Sequence, residues 1–182
     1  MVRRGASEPN PGGSVPKEIE DLTERYAAYA AAFEIAIVDD DWTRIEPFFT
    51  KDVEIRFHTP PFRGGCKGLD GIADYFREML DGFDRRFDER AVTEPLKFRQ
   101  QGTMVEMAWN AAFRIEGVPD LILSGVEQAR FRGQHIYKLD GRFTEEGKRN
   151  CDAWMPVHFE KLHPKVEDIT TALLAAAKGE LH

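Results

Sequence analysis

The chain has 182 residues, enough for one domain with tails and for burying roughly two-thirds of its unfolded surface. Its 42% hydrophobic and 31% charged content is that of a soluble globular protein, and a net charge of −7 with no basic run argues against nucleic acid, which needs cations to neutralise phosphate. No stretch approaches the ~18 apolar residues of a membrane span. The opening MVRRGASEPNPGGSVP lacks the apolar segment of a secretory signal, so a cytoplasmic protein is expected, with no membrane partner. Cys66 and Cys151 stand far apart without CxxC spacing, which suggests neither a disulfide framework nor a zinc site.

Residues 1–15, rich in Gly, Pro and Ser, read as a disordered arm. Pro16 can open a helix, and Ile19, Leu22, Tyr26, Tyr29, Phe33 and Ile37 then recur at three- and four-residue spacing, one apolar stripe on a helix of about 22 residues. Asp39–Asp41 ends it. Asp41 can cap a second, shorter helix carrying Trp42, Ile45, Phe48 and Phe49, which Pro47 limits. Val53, Ile55 and Phe57 alternate with Glu54, Arg56 and His58 in a half-buried strand. After the loop PPFRGGCKG, a third helix runs from about Leu69 to Leu80, with Gly82 as its C-cap.

Beyond that the period changes to two. Leu96–Gln100, Met104–Glu116, Leu121–Arg132 and His135–Phe143 read as strands, joined by the turns QGT, EGVPD and RGQ. Short turns between long strands imply antiparallel hairpins, hence an α+β domain with helices on one face of the sheet. A tail with Trp154, Met155 and Phe159 follows and ends in a helix from near Pro164 carrying Val166, Ile169, Leu173 and Ala177. It could lid a pocket or cover a partner subunit. The expected layout is an arm (1–15), a domain (16–145) and a C-terminal extension (146–182).

Strand parity selects the residues that face the helices. They are Val105, Met107, Trp109, Phe113 and Ile115 in one strand, Tyr137, Leu139 and Phe143 in another, and Leu121, Leu123, Ala129 and Phe131 in a third. Glu127 breaks this apolar row. A carboxylate there either carries a raised pKa, as general acids and bases do, or is a structural group paired with an arginine or a tyrosine hydroxyl. His58 has the parity of the outer face, so it is either solvent-facing or turned to the cavity mouth by a bulge, where it would form an acid/base couple with Glu127. Phe33, Trp42, Phe57, Tyr75, Trp109 and Tyr137 are either pocket walls or plain core. The glycines of FRGGCKG are a covered turn or an anion nest, and His158, His163 and His182 have no spacing suited to a metal.

The order and spacing of DDWTRIEPFFTKDVEIRFHTP, FRGGCKGLDGIADYF and GVEQARFRGQHI resemble the NTF2-like superfamily, and within it the SnoaL-like group, over roughly Lys17–Glu145. The resemblance implies a cone-shaped α+β fold of three N-terminal helices packed on a curved, mostly antiparallel sheet, with the C-terminal helical tail added. It also implies one apolar pocket and a homodimer through the outer sheet face. Against ketosteroid isomerase, the base position falls on Phe57 or Thr59, the helix-one tyrosine near Phe33 with Tyr29 one turn away, and the neutral acid on Glu127. One role of three survives, which argues against steroid isomerisation. The chain shows no Asp-Arg-Asp set of the epoxide-hydrolase kind and no dehydratase-like His-Asp pair. Three readings stay open: an acid/base enzyme acting on a small hydrophobic carbonyl or polycyclic compound, with Glu127 and no metal or organic cofactor; a non-catalytic protein binding a small hydrophobic molecule; and a structural dimer module.

Overall fold

The computed structural model describes residues 21–165. The arm, Pro16 and Ile19 lie outside them, as do Val166, Ile169, Leu173, Ala177 and His182 of the tail. Helix α1 (Thr23–Asp39) begins where the Asp21 carboxylate accepts the Thr23 N–H and ends at Asp40, whose φ of 57° turns the chain left-handed. Its stripe Leu22, Tyr26 and Tyr29 is buried, and Phe33 and Ile37 pack beside it. The expected second helix is two 3-10 turns instead, Trp42–Arg44 and Glu46–Phe48, because Pro47 denies an α-helix its N–H ladder. Asp41 does accept the Thr43 N–H there.

Strand β1 (Phe49–Phe57) is followed by β2 (Gly64–Lys67), which corrects the reading of GGCK as loop. Gly65 has to be glycine in this hairpin, since a Cβ would lie 2.2 Å from the Ile55 carbonyl oxygen. After a 3-10 turn at Leu69–Gly71 comes α2 (Ile72–Gly82), then β3 (Glu89–Val92), β4 (Lys97–Gln101), β5 (Met104–Arg114), β6 (Leu121–Arg132) and β7 (His135–Phe143). The sheet order is β2-β1-β7-β6-β5-β3, and β4 also pairs with β5. All pairings are antiparallel except β1 with β7. Gly102, Gly117 and Gly133, with φ of 60°, 80° and 61°, make the hairpin turns.

The tail is built differently from expectation. Helix α3 (Glu145–His158) starts directly after β7, with the Thr144 hydroxyl accepting the Gly147 N–H at 3.0 Å. The β6–β7 pairing stops at Gly125–Phe143, and α3 then runs beside the start of β6, along the edge that β7 leaves open and opposite β5. Its side chains take carbonyls there: Asn150 donates to Ile122 of β6, and Trp154 to Pro119, two residues before the strand. A sheet edge is thereby covered by a helix. Leu162 and His163 return to the Asp84–Asp88 segment, where Arg86 donates to the His163 carbonyl and His163 meets Asp88. Residues 163–165 are irregular, so the described start of the expected last helix is not helical. Among the described residues, no helix is long and apolar enough to cross a membrane.

The core lies between α1, α2 and the inner sheet face. Tyr26, Phe76, Phe83 and Phe113 are fully buried there, each worth about 2 kcal/mol of transfer free energy.

Candidate functional site

The inner face of the sheet is not filled evenly. One row crosses four strands as Phe57, Gly141, Glu127 and Met107; a second runs Phe143, Gly125, Trp109. Both glycines stand where a side chain would collide with an aromatic ring. A Cβ on Gly141 would sit 2.4 Å from the Phe57 ring, and one on Gly125 would sit 2.3 Å from the Trp109 ring. The two rings therefore lie flat on the sheet and leave a hollow above it.

That hollow is a cavity of about 70 Å³ between the sheet, α1 and α2. Its walls are apolar, with Tyr29, Phe33, Phe57, Phe62, Phe76 and Trp109 among them, and its polar groups are Glu34, Asp84, Arg90, Asn110 and Glu127. The Tyr26 hydroxyl donates to Glu127 Oε2 at 3.2 Å. Enclosure by protein pushes the Glu127 carboxyl up to about 7; the Tyr26 bond and the Arg90 charge oppose that, and Glu34 adds to it. Burial and the Glu127 charge likewise drive the Tyr26 and Tyr29 phenols well above their ordinary value.

A second cluster comes from three separate segments. Arg90 of β3 grips Glu34 of α1 with both terminal nitrogens, at 2.7 and 3.0 Å, and its Nε meets Asp84 Oδ2 at 3.2 Å. The Asp84 side chain is only 8% exposed. Burial raises its carboxyl to about 7 despite Arg90, with Glu34 reinforcing the rise. A carboxylate-arginine-carboxylate set thus exists in the fold, although it is absent from the sequence as a motif.

Of the residues singled out in the sequence, Glu127, Phe33, Phe57 and Trp109 line the cavity. Trp42 and Tyr75 stand one layer behind: Trp42 stacks on Phe76 at 5.3 Å, and Tyr75 packs against Phe57 and Phe76. Tyr137 does not reach the cavity. A register shift in the β6–β7 ladder brings Ile136 into the inner row, and Tyr137 lies under the Arg132 guanidinium. His58 is also elsewhere. Its N–H extends the ladder to the Gly141 carbonyl, which keeps its side chain on the face opposite Phe57, 50% exposed and 3.1 Å from Asp140. No bulge re-aims it, so the structure forms no Glu127–His58 couple, and the His-Asp pair it does form lies outside the cavity. The tyrosine that reaches Glu127 is Tyr26, two turns before Phe33. Among the described residues, no group of three or more His, Cys, Asp or Glu is placed to hold a metal ion.

The sequence pattern defining the SnoaL-like domain matches residues 26–146. The chain belongs to the SnoaL-like family. Solved structures share this domain's fold at low identity. An NTF2-like protein of Anabaena variabilis ATCC 29413 is 14% identical, with a TM-score of 0.57 over 75% of this chain and 98% of its own. One from Burkholderia xenovorans LB400 is 16% identical, with 0.53 over 69% and 94%. TerC, co-crystallised with polyporic acid, is 18% identical, with 0.52 over 79% and 98%. Among curated protein sequences, none matches the chain.

Proposed function

We propose that this SnoaL-like domain is an acid/base enzyme for a small hydrophobic carbonyl compound, with Glu127 as the group that moves the proton. The observation that carries this reading is a buried carboxyl, raised to about 7, in an apolar cavity and held by one tyrosine. A general base works best with a pKa near the operating pH. Tyr26 fixes Oε2, leaving Oε1 to take a proton from carbon next to a substrate carbonyl and return it elsewhere. The Trp109 Nε1–H, buried and without a partner among the described residues, can donate to the oxygen on which negative charge develops. Desolvation by the surrounding rings strengthens both interactions.

The test is hydrogen–deuterium exchange at carbon, followed by proton NMR, in 2-tetralone and other one- and two-ring ketones. Wild-type protein should accelerate exchange in at least one of them, and Glu127→Gln should slow it about 10²-fold or more. Equal rates in the two proteins would remove Glu127 from the chemistry. The apolar lining then favours the second reading, a protein that binds a hydrophobic molecule without converting it.

A further inference from the structure

Three buried side-chain polar atoms have no hydrogen-bond partner among the described residues, and two of them, Asp84 Oδ1 and Trp109 Nε1, belong to residues lining the cavity. Buried polar groups are almost always satisfied, so each such atom calls for an explanation. We propose that Asp84 is a specificity-determining residue, whose free oxygen recognises a hydroxyl group on the molecule bound in the cavity. The inference rests on the reading of the cavity as a ligand site, but not on Glu127 being catalytic.

Asp84 is held in place for such a role. Its other oxygen is fixed by Arg90, which Glu34 grips with two further bonds, so the carboxyl cannot swing away. The guanidinium is committed to these two carboxylates and is not a free anion site. An anionic ligand would also face the Glu34, Asp84 and Glu127 carboxyls across one cavity. A hydroxyl suits the site in either protonation state. It donates to Oδ1 of the ionised carboxylate and accepts from the protonated acid, whereas a bare carbonyl serves only the acid and a cationic amine only the carboxylate. The ligand class is therefore a neutral, mostly apolar hydroxy-carbonyl compound. Its oxygen functions meet Asp84 and Trp109, and its carbon skeleton packs on the rings. Rejecting a compound that lacks the hydroxyl costs the protein nothing extra, since it leaves the buried Asp84 oxygen unpaired.

The experiment is calorimetric titration of 2-tetralone, its ring-hydroxylated isomers and their methyl ethers into wild-type, Asp84→Ala and Asp84→Asn protein at pH 6. At least one hydroxylated isomer should bind wild type about tenfold or more tightly than both 2-tetralone and the methyl ether. Asp84→Ala should abolish that ratio while circular dichroism shows a folded protein. Asp84→Asn, which keeps an amide oxygen at the same place, should retain part of it. Equal binding of the hydroxylated and parent compounds by wild type, or of none of them, overturns the proposal. So does a preference that survives Asp84→Ala unchanged. Because Glu127→Gln is read by exchange rate and Asp84→Ala by affinity ratio, either assignment can fail while the other stands.

Discussion

Glu127 is held by a phenol and not by a cation, and this decides what its removal does to stability. A carboxyl whose native pKa is raised from 4.5 to about 7 binds protons more readily folded than unfolded. Its ionisation therefore works against the fold as pH rises from about 5 through 7. Glu127→Gln should raise the melting temperature relative to wild type at pH 8, with the gain, on the order of 3 kcal/mol at most, fading towards pH 5. A loss of stability at pH 8 would mean that the carboxylate is paired. Exchange catalysis by wild type should show the opposite slope and rise with pH through about 7, since the base acts ionised. Gly125 and Gly141 are equally specific. An alanine at either position must push the Trp109 or Phe57 ring into the hollow, so ligand affinity should drop about tenfold or more while the sheet persists. Glu127 can be found from sequence because period-two parity places it in an apolar row. Asp84, Arg90 and Glu34 cannot, because a 3-10 turn, a four-residue edge strand and a helix converge only in the folded chain. Tyr137 misleads parity for the reason that the β6–β7 ladder slips by one residue beside it.

At the scale of elements, α3 shows how a helix can stand where a strand would otherwise pair. Its contact with β6 is backbone-close: a Cβ on Gly147 would lie 2.3 Å from the Ser124 carbonyl oxygen. Gly147→Val should therefore lift the helix off and expose the β6 edge, read as faster amide exchange across Leu121–Ser124. Thr144→Ala removes the cap together with the hydrogen bond between the Thr144 and Ser124 hydroxyls and should cost about 1–2 kcal/mol. Strands β5, β6 and β7 are legible because their apolar residues alternate over nine or more positions. Strand β3 is not, since Glu-Arg-Ala-Val carries no alternation, and β2 hides in a glycine pair that usually marks a turn. Helix α3 is obscured by Gly147 and Pro156, although Thr144 followed by Glu145 and Glu146 is a helix-start signal, and Gly147, Cys151 and Trp154 form a stripe of its own.

For the molecule as a whole, two sets of carboxyls set the response to pH. Burial raises Glu127 and Asp84 to about 7, so stability should increase as pH falls from 8 towards 5. Asp40 acts in the opposite sense. Desolvation opposes its ionisation, but hydrogen bonds from Arg77, Trp42 and Arg85 outweigh that and lower it to about 2, tying the end of α1 to α2 and the turn after it. Its contribution, diminished by solvent at 44% exposure, is lost as pH falls from about 4 towards 2. A melting-temperature profile peaking near pH 5 is the expected result; a peak at or above pH 8 would contradict the raised carboxyls. The parallel pairing of β1 with β7 has a consequence in time as well as in space. Phe49–Phe57 can gain its inner neighbour only after His135–Phe143 has been synthesised, so an emerging chain carries a first strand that is paired on the β2 side alone through most of its length. Loop closure over that span makes the last pairing slow and leaves β1 available to other chains meanwhile. A nascent chain halted before β7 is thus expected to engage holdase chaperones, and to be released from them once β7 arrives.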